Sequence, residues 1–185
     1  MGMLDLARRW TREEVLALPD NGNRYELFDG ELLVTPAPSG PHQVALGRLF
    51  SAIAPYVAAH GLGETLWSPA DLDLGTGQVS QPDLFVVPFL PPDCDWRNFP
   101  NPVLIVEVLS PSTARADRLV KRRRFQRAGI PEYWIVDLDA RAIERWRPDD
   151  SRPEILDERL TWQPARAPQA LELELRALFH GIWET

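Results

Sequence analysis

Three side chains sit where their charge is hardest to accommodate. Glu107 interrupts the apolar, β-branched run Val103 to Leu109, a pattern expected of a strand buried on both faces. An ionised carboxylate there needs a partner, a metal or a shifted pKa; the plain alternative is a strand end where Glu107 meets solvent or an arginine. Asp83 stands at the mouth of a second apolar run, Leu84-Phe85-Val86-Val87. Lys121 is the single lysine among 20 basic residues, so a background that otherwise uses arginine makes one exception. An ammonium is a compact point charge whose pKa moves on burial, and a guanidinium does not replace it. The plain alternative is a snorkelling lysine paired with Asp117 at i, i+4.

The elements around these residues follow from pattern. Val103 to Leu109 reads as a strand, and a helix begins near Ala114 after the turn and cap residues Ser110-Pro111-Ser112-Thr113. It ends at Gly129 ahead of Pro131, and a second strand, Glu132 to Asp137, closes the unit. At 100° per residue Ala114, Lys121, Phe125 and Ala128 share one face of that helix, which turns the amine toward the sheet. Upstream, Thr11-Arg12-Glu13-Glu14 has capping-box spacing for a helix from Arg12 to about Leu18. Asp29-Gly30 between alternating runs predicts a hairpin, Arg24 to Phe28 and Glu31 to Thr35. It carries Glu26 and Glu31, which spacing alone leaves unassigned. His42 to His60 has helical periodicity, with Pro55 expected to bend it and His42 at its exposed start. Glu64 to Leu74 and Val79 to Pro88 read as strands, with Pro82 breaking the ladder at one point. Arg141 to Arg147 is expected to pair with the strand before it. Leu171 to Leu175 suggests a late edge strand, before a short helix near Ala177 to Trp183.

The succession brings Asp83 and Glu107 onto adjacent strands. Two carboxylates with few histidines or cysteines to help suit a hard cation, Mg²⁺ or Mn²⁺. Such an ion polarises a phosphoryl oxygen and activates water, while a nearby ammonium, here Lys121, orients the nucleophile or offsets transition-state charge.

A length of 185 residues, 44% hydrophobic and 25% charged, fits one soluble globular domain spanning the whole chain. No apolar run is long enough to span a membrane, MGMLDLARRWTREEV lacks the order of a signal peptide, and one cysteine excludes an internal disulfide, so a cytoplasmic setting is expected. Cys94 has no ligand-spaced His or Cys neighbour, which argues against thiolate metal binding. The net charge of −7 argues against indiscriminate phosphate binding. Yet Arg115 to Arg127 holds seven basic residues and one acidic one, a patch that suits a nucleic-acid backbone or an ordinary solvated face.

Taken together, YELFDGEL, PDLFVV, IVEVLSPST, the helix bearing Lys121 and GIPEYWIVD resemble the Uma-type family of restriction endonucleases in the PD-(D/E)XK superfamily. The likeness runs from about Glu13 to Arg147 and more weakly through the last strand and helix. It implies a mixed α/β restriction-endonuclease-like core, a central mixed sheet flanked by helices, with an added N-terminal hairpin and C-terminal strands. It also implies that Asp83 and Glu107 bind the metal, that the Val108 main-chain carbonyl adds a ligand, and that Lys121 assists. Glu31, Glu26 and His42 resemble further polar positions brought to the metal. In the parent superfamily the lysine lies two residues after the acid, where this chain has Leu109, so the amine has moved to the helix. Phe125 stands where the family often has tyrosine.

The expected function is therefore divalent-metal-dependent hydrolysis of phosphodiester bonds in nucleic acid, DNA by preference. Arg115, Arg118, Arg122 and Arg124 are the expected backbone contacts, and a homodimer the expected assembly. Two rivals stand beside it: a catalytically silent nucleic-acid-binding or regulatory module on the same fold, and an oligomeric scaffold whose charges form an internal salt-bridge network.

Overall fold

Six strands form one sheet in the order β3-β4-β5-β6-β7-β8, antiparallel throughout except where β5 and β6 run parallel. They are β3 Glu64–Trp67, β4 Leu84–Val87, β5 Leu104–Val108, β6 Tyr133–Asp137, β7 Ala142–Trp146 and β8 Glu154–Leu156. The computed structural model describes residues 8–75, 78–90, 92–93, 99–111 and 113–182; Cys94, Ser112 and Trp183, on which readings above rest, lie outside these. The parallel step from β5 to β6 requires a crossover, and helix α3 supplies it. This helix is not uniform. An α-helical start, Ala114–Ala116, leads into a π-helical turn, Asp117–Lys121, before the α-helix resumes at Arg122–Arg127.

Alternation along the strands divides the core. Leu84, Val86, Leu104, Val106, Val108, Trp134 and Val136 pack under helix α2, Gly40–Ala59, on one face of the sheet. Phe85, Val87, Ile105, Tyr133 and Ile135 face Phe125 of α3 on the other. Glu107, between Val106 and Val108, points to the α3 side. Helix α1, Arg12–Leu16, has the expected capping box, with Thr11 accepting from the Glu14 amide, but is shorter than its pattern suggests. The hairpin, β1 Arg24–Phe28 and β2 Glu31–Thr35, has the expected bounds; Asp29 and Gly30 both take positive φ, as a two-residue turn of this twist requires. A separate pair, β9 Arg159–Trp162 and β10 Leu171–Glu174, covers the α2 side with helix α4, Leu175–Phe179.

Several expectations need correction. The segment Val79 to Pro88 is not one strand: β4 begins only at Leu84, after Pro82, which has no N–H to give a ladder. Val79 instead exchanges two main-chain hydrogen bonds with Leu27, at 2.8 and 3.2 Å, and Ser80 bridges to Leu72. The strand from Glu64 stops at Trp67. Helix α2 starts at Gly40, before His42, because Ser39 is its cap. The strand expected at Leu171 is present, paired with β9 in a two-stranded sheet of its own. On α3, Ala116, Asp117, Lys121 and Phe125 are buried, whereas Ala114 and Ala128 are only half-buried. The π-turn rotates the first residues of the helix relative to a 100° wheel.

Candidate active site

The ladder of β4 and β5 pairs Leu84 with Val106; continued one step, it sets Asp83 opposite Glu107 on the α3 face. The Val108 amide donates to Asp83 Oδ2 at 2.8 Å and fixes that carboxylate against the end of β5. A strand residue directs its N–H and C=O to the same edge, so the Val108 carbonyl faces the Asp83 side. His42 Nε2 reaches Asp83 Oδ2 at 3.0 Å, and Arg24 Nη1 donates to Oδ1 at 2.6 Å. The Ser39 cap, accepting the His42 amide, places the imidazole at the first turn of α2.

Lys121 lies at the centre of a second group. Its Nζ is 2.7 Å from Glu26 Oε2, 2.9 Å from Glu107 Oε1 and 3.3 Å from Asp117 Oδ1. The pairing with Asp117 at i, i+4 that the sequence allowed is present, together with two partners from the sheet side. Glu26 is held from behind: its Oε1 accepts from the Ser80 hydroxyl at 3.1 Å and the Gln81 amide at 2.8 Å. The Leu27–Val79 bridge brings the hairpin to that segment. Tyr133 donates its hydroxyl to the Asp117 carbonyl at 3.3 Å, on the π-turn, and its ring meets Phe125 edge to face. Glu26, His42, Asp83, Glu107, Asp117 and Lys121 are each no more than 3% exposed.

The charges do not balance. Four carboxylates, Glu26, Asp83, Glu107 and Asp117, face two fixed cations, Lys121 and Arg24, plus one histidine. Burial drives the Glu107 carboxyl well above its ordinary range; Lys121 opposes this, and Asp83, Asp117 and Glu26 reinforce it. Burial also raises Asp117, against Lys121 and a hydrogen bond from Thr113. Asp83 goes the other way: burial would raise it, but His42, Arg24 and the Val108 amide together hold it below the carboxylate range. Burial alone would lower Lys121, yet its three carboxylates keep the amine well above its ordinary value.

Among the described residues no three His, Cys, Asp or Glu side chains are grouped closely enough to ligate one ion by themselves. A Mg²⁺ site does not require that, since one or two carboxylates with water and substrate phosphate suffice. Asp83 and Glu107, facing across one ladder step beside the Val108 carbonyl, fit that description, and a centre with more carboxyl groups than fixed cations suits a divalent cation.

Of the residues singled out from sequence, Asp83, Glu107, Lys121, Glu26 and His42 share this centre. Glu31 faces the same side of the hairpin as Glu26 but sits opposite Phe28 at the turn end, half-buried, with no ion pair among the described residues. Arg24 and Asp117 belong to the centre and were not foreseen as site residues. Arg24 lies two positions before Glu26, on the same strand face, which was the available signal. Arg118 pairs with Asp137 and Glu144 at 2.7 and 2.6 Å, Arg122 lies over the Trp146 ring, and Arg124 pairs with Asp29. Arg115 is exposed, as are Arg123 and Arg127, and none of these three forms an ion pair among the described residues.

Comparison with known proteins agrees with this architecture. A crystal structure described as "a putative nuclease belonging to DUF820", from Anabaena variabilis, superposes with a TM-score of 0.79, covering 94% of this chain and 99% of that one. At 22% identity the likeness establishes the fold. No curated protein sequence matches. The model of the Uma2 family, described as "Putative restriction endonuclease", matches residues 12–183, hairpin, sheet, α3 and closing helix included, and the chain belongs to that family.

Proposed function

We propose that the protein is a divalent-metal-dependent endonuclease hydrolysing phosphodiester bonds of nucleic acid, with DNA as the substrate. The observation that carries this reading is the pairing of Asp83 and Glu107 across one ladder step, with Lys121 2.9 Å from Glu107. Asp83, Glu107 and the Val108 carbonyl would hold Mg²⁺ or Mn²⁺, which when bound supplies Lewis acidity toward a phosphoryl oxygen and toward water. Lys121 is kept protonated by its carboxylates, so it acts as a charged donor toward the phosphate or the attacking water, not as a base. Glu26 and Asp117 hold that ammonium in place. Arg24, His42 and the Val108 amide keep Asp83 ionised and oriented. Exposed Arg115, with Arg123 and Arg127 on the same helix, is the cationic surface left for a nucleic-acid backbone, since Arg118, Arg122 and Arg124 are engaged within the fold. A homodimer would supply two centres for the two strands of a duplex.

Asp83→Asn and Glu107→Gln keep side-chain size and test the assignment directly. With Mg²⁺ or Mn²⁺ and plasmid or oligonucleotide DNA, wild type is expected to cleave and each variant to lose cleavage while keeping its circular dichroism spectrum. Cleavage by both variants at the wild-type rate would remove the basis of the reading. One feature favours the salt-bridge alternative: Lys121 is already surrounded by three carboxylates. Calorimetric titration with Mn²⁺ separates the two, because a purely structural network binds none.

A further inference from the structure

The two cations of the centre are held very differently. Lys121 is buried, with a carboxylate within 3.3 Å for each of its three N–H donors. Arg24 has five donors, and a guanidinium makes its strongest pairing with a carboxylate through two of them in parallel. Here Nη1 alone donates to Asp83, at Oδ1, and the same nitrogen makes a long contact of 3.3 Å with the Gln81 carbonyl. The Nε–H is buried and finds no acceptor among the described residues. Arg24 is therefore the cation that can leave.

It also stands on the acid assigned to the metal. Asp83 Oδ2 already has two partners, the Val108 amide and His42 Nε2, so Oδ1, where Arg24 sits, is the oxygen left for an ion. Burial would lower the guanidinium pKa, but Asp83, then Glu107 and Glu26, hold it above the ordinary value. Arg24 thus stays charged and feels both carboxylates proposed as ligands, and a dication arriving there meets a like charge. On its outer side Arg24 lines a cleft of about 430 Å³, open to solvent past exposed Asp20 and Asn23. Asp71, half-buried and in no ion pair among the described residues, lines the same cleft. Gln81 touches both: its carbonyl accepts from Arg24, and its side-chain amide donates to Asp71 Oδ1 at 2.5 Å.

We propose that Arg24 is an exchangeable counter-ion. It keeps Asp83 ionised and oriented until Mg²⁺ or Mn²⁺ enters through this cleft, and it then turns outward to Asp71 as the ion takes over the carboxylate. This rests on the metal-dependent nuclease reading above, and the test keeps the two apart.

Mn²⁺ is titrated calorimetrically into full-length wild type, Arg24→Gln, Asp71→Asn and the double variant, each checked by circular dichroism. Arg24→Gln is expected to tighten Mn²⁺ binding by roughly 10- to 150-fold, since a charge-assisted hydrogen bond of about 1.5–3 kcal/mol no longer has to be broken. Asp71→Asn should weaken Mn²⁺ binding by roughly 2- to 5-fold, the scale of a partly exposed ion pair, and only while Arg24 is present. An arginine that stays in place and acts through its charge alone gives additive effects instead. Unchanged or weaker Mn²⁺ binding by Arg24→Gln, or an equal Asp71→Asn effect in both backgrounds, overturns the exchange and leaves the nuclease reading standing. If Arg24→Gln does not fold, Asp71→Asn still decides: unchanged affinity there overturns the proposal by itself. Absence of Mn²⁺ binding from wild type and Arg24→Gln alike defeats the nuclease reading itself.

Discussion

A buried ammonium among three carboxylates makes Lys121 the residue whose loss is least tolerable. Lys121→Met would leave Glu26, Glu107 and Asp117 without their shared cation, and removing one member of a buried ionic group costs about 3–5 kcal/mol. Urea unfolding at neutral pH measures it. Glu107→Gln should behave oppositely. Because the folded state raises the Glu107 carboxyl, the native protein binds that proton more tightly than the unfolded chain. Its favourable contribution is complete below the ordinary carboxyl range and disappears as pH rises through the elevated folded value. Removing the acid should therefore flatten the loss of stability from about pH 4.5 upward and leave the variant as stable as wild type, or more so, at pH 8. Asp83 has the reverse sign: its contribution is present above the ordinary range and lost as pH falls through its depressed folded value, so Asp83→Asn should flatten the acid side of the profile. Stabilisation by Glu107→Gln together with loss of cleavage would mark a centre maintained for chemistry. The sequence made Glu107 and Lys121 conspicuous because each violates its surroundings. Arg24 violated nothing, one arginine among nineteen in a strand that could have faced solvent, and only the fold brings it to Asp83.

The π-turn at Asp117–Lys121 decides which side chains α3 offers the sheet. Such turns insert a residue into an α-helix and recur at functional sites. With it, Asp117, Lys121 and Phe125 are all buried on the sheet side, and Leu119 is 45% exposed on the back. Because the π-turn absorbs one extra residue, deleting Leu119 should restore regular α-helix with the flanking faces in register and leave Asp117 and Lys121 as an i, i+3 pair. The expected result is helix content and part of the cleavage retained; circular dichroism and the DNA assay read the two separately, and complete loss of cleavage would assign a role to the π-turn itself. Sequence periodicity assumes a uniform 100° step, so an inserted residue is invisible to it. That is why Ala114 was assigned to the buried face instead of Ala116 and Asp117. The hairpin was legible because Asp29-Gly30 specifies its own turn. Strands β8 and β9 were not, since Glu154–Leu156 and Arg159–Trp162 are short, lack a compact turn signal and are defined by their partners.

For the whole molecule, the net charge of −7 and the acidic centre mean that binding to a polyanion depends on a few exposed cations. Arg115, Arg123 and Arg127 are those of α3 that project from it without an ion pair among the described residues. Replacing all three with alanine should lower the slope of log affinity against log salt by about 2.7 for a duplex, at roughly 0.9 per phosphate contact, or about 2.1 for a single strand at 0.7. Filter binding across salt concentrations provides the slope, and an unchanged one assigns the stripe to solvent.

The tie between Leu27 and Val79 has a consequence for how this protein fails. Those two hydrogen bonds are the main-chain link, among the described residues, between the hairpin and the body that carries Asp83 and Glu107. Arg24 and Glu26 travel with the hairpin, whereas their partners Asp83 and Lys121 stay behind. The candidate centre is thus split across a seam: a fluctuation that opens this bridge with the side-chain contacts beside it would take away a cation and an anion together, so loss of cleavage is expected to precede global melting.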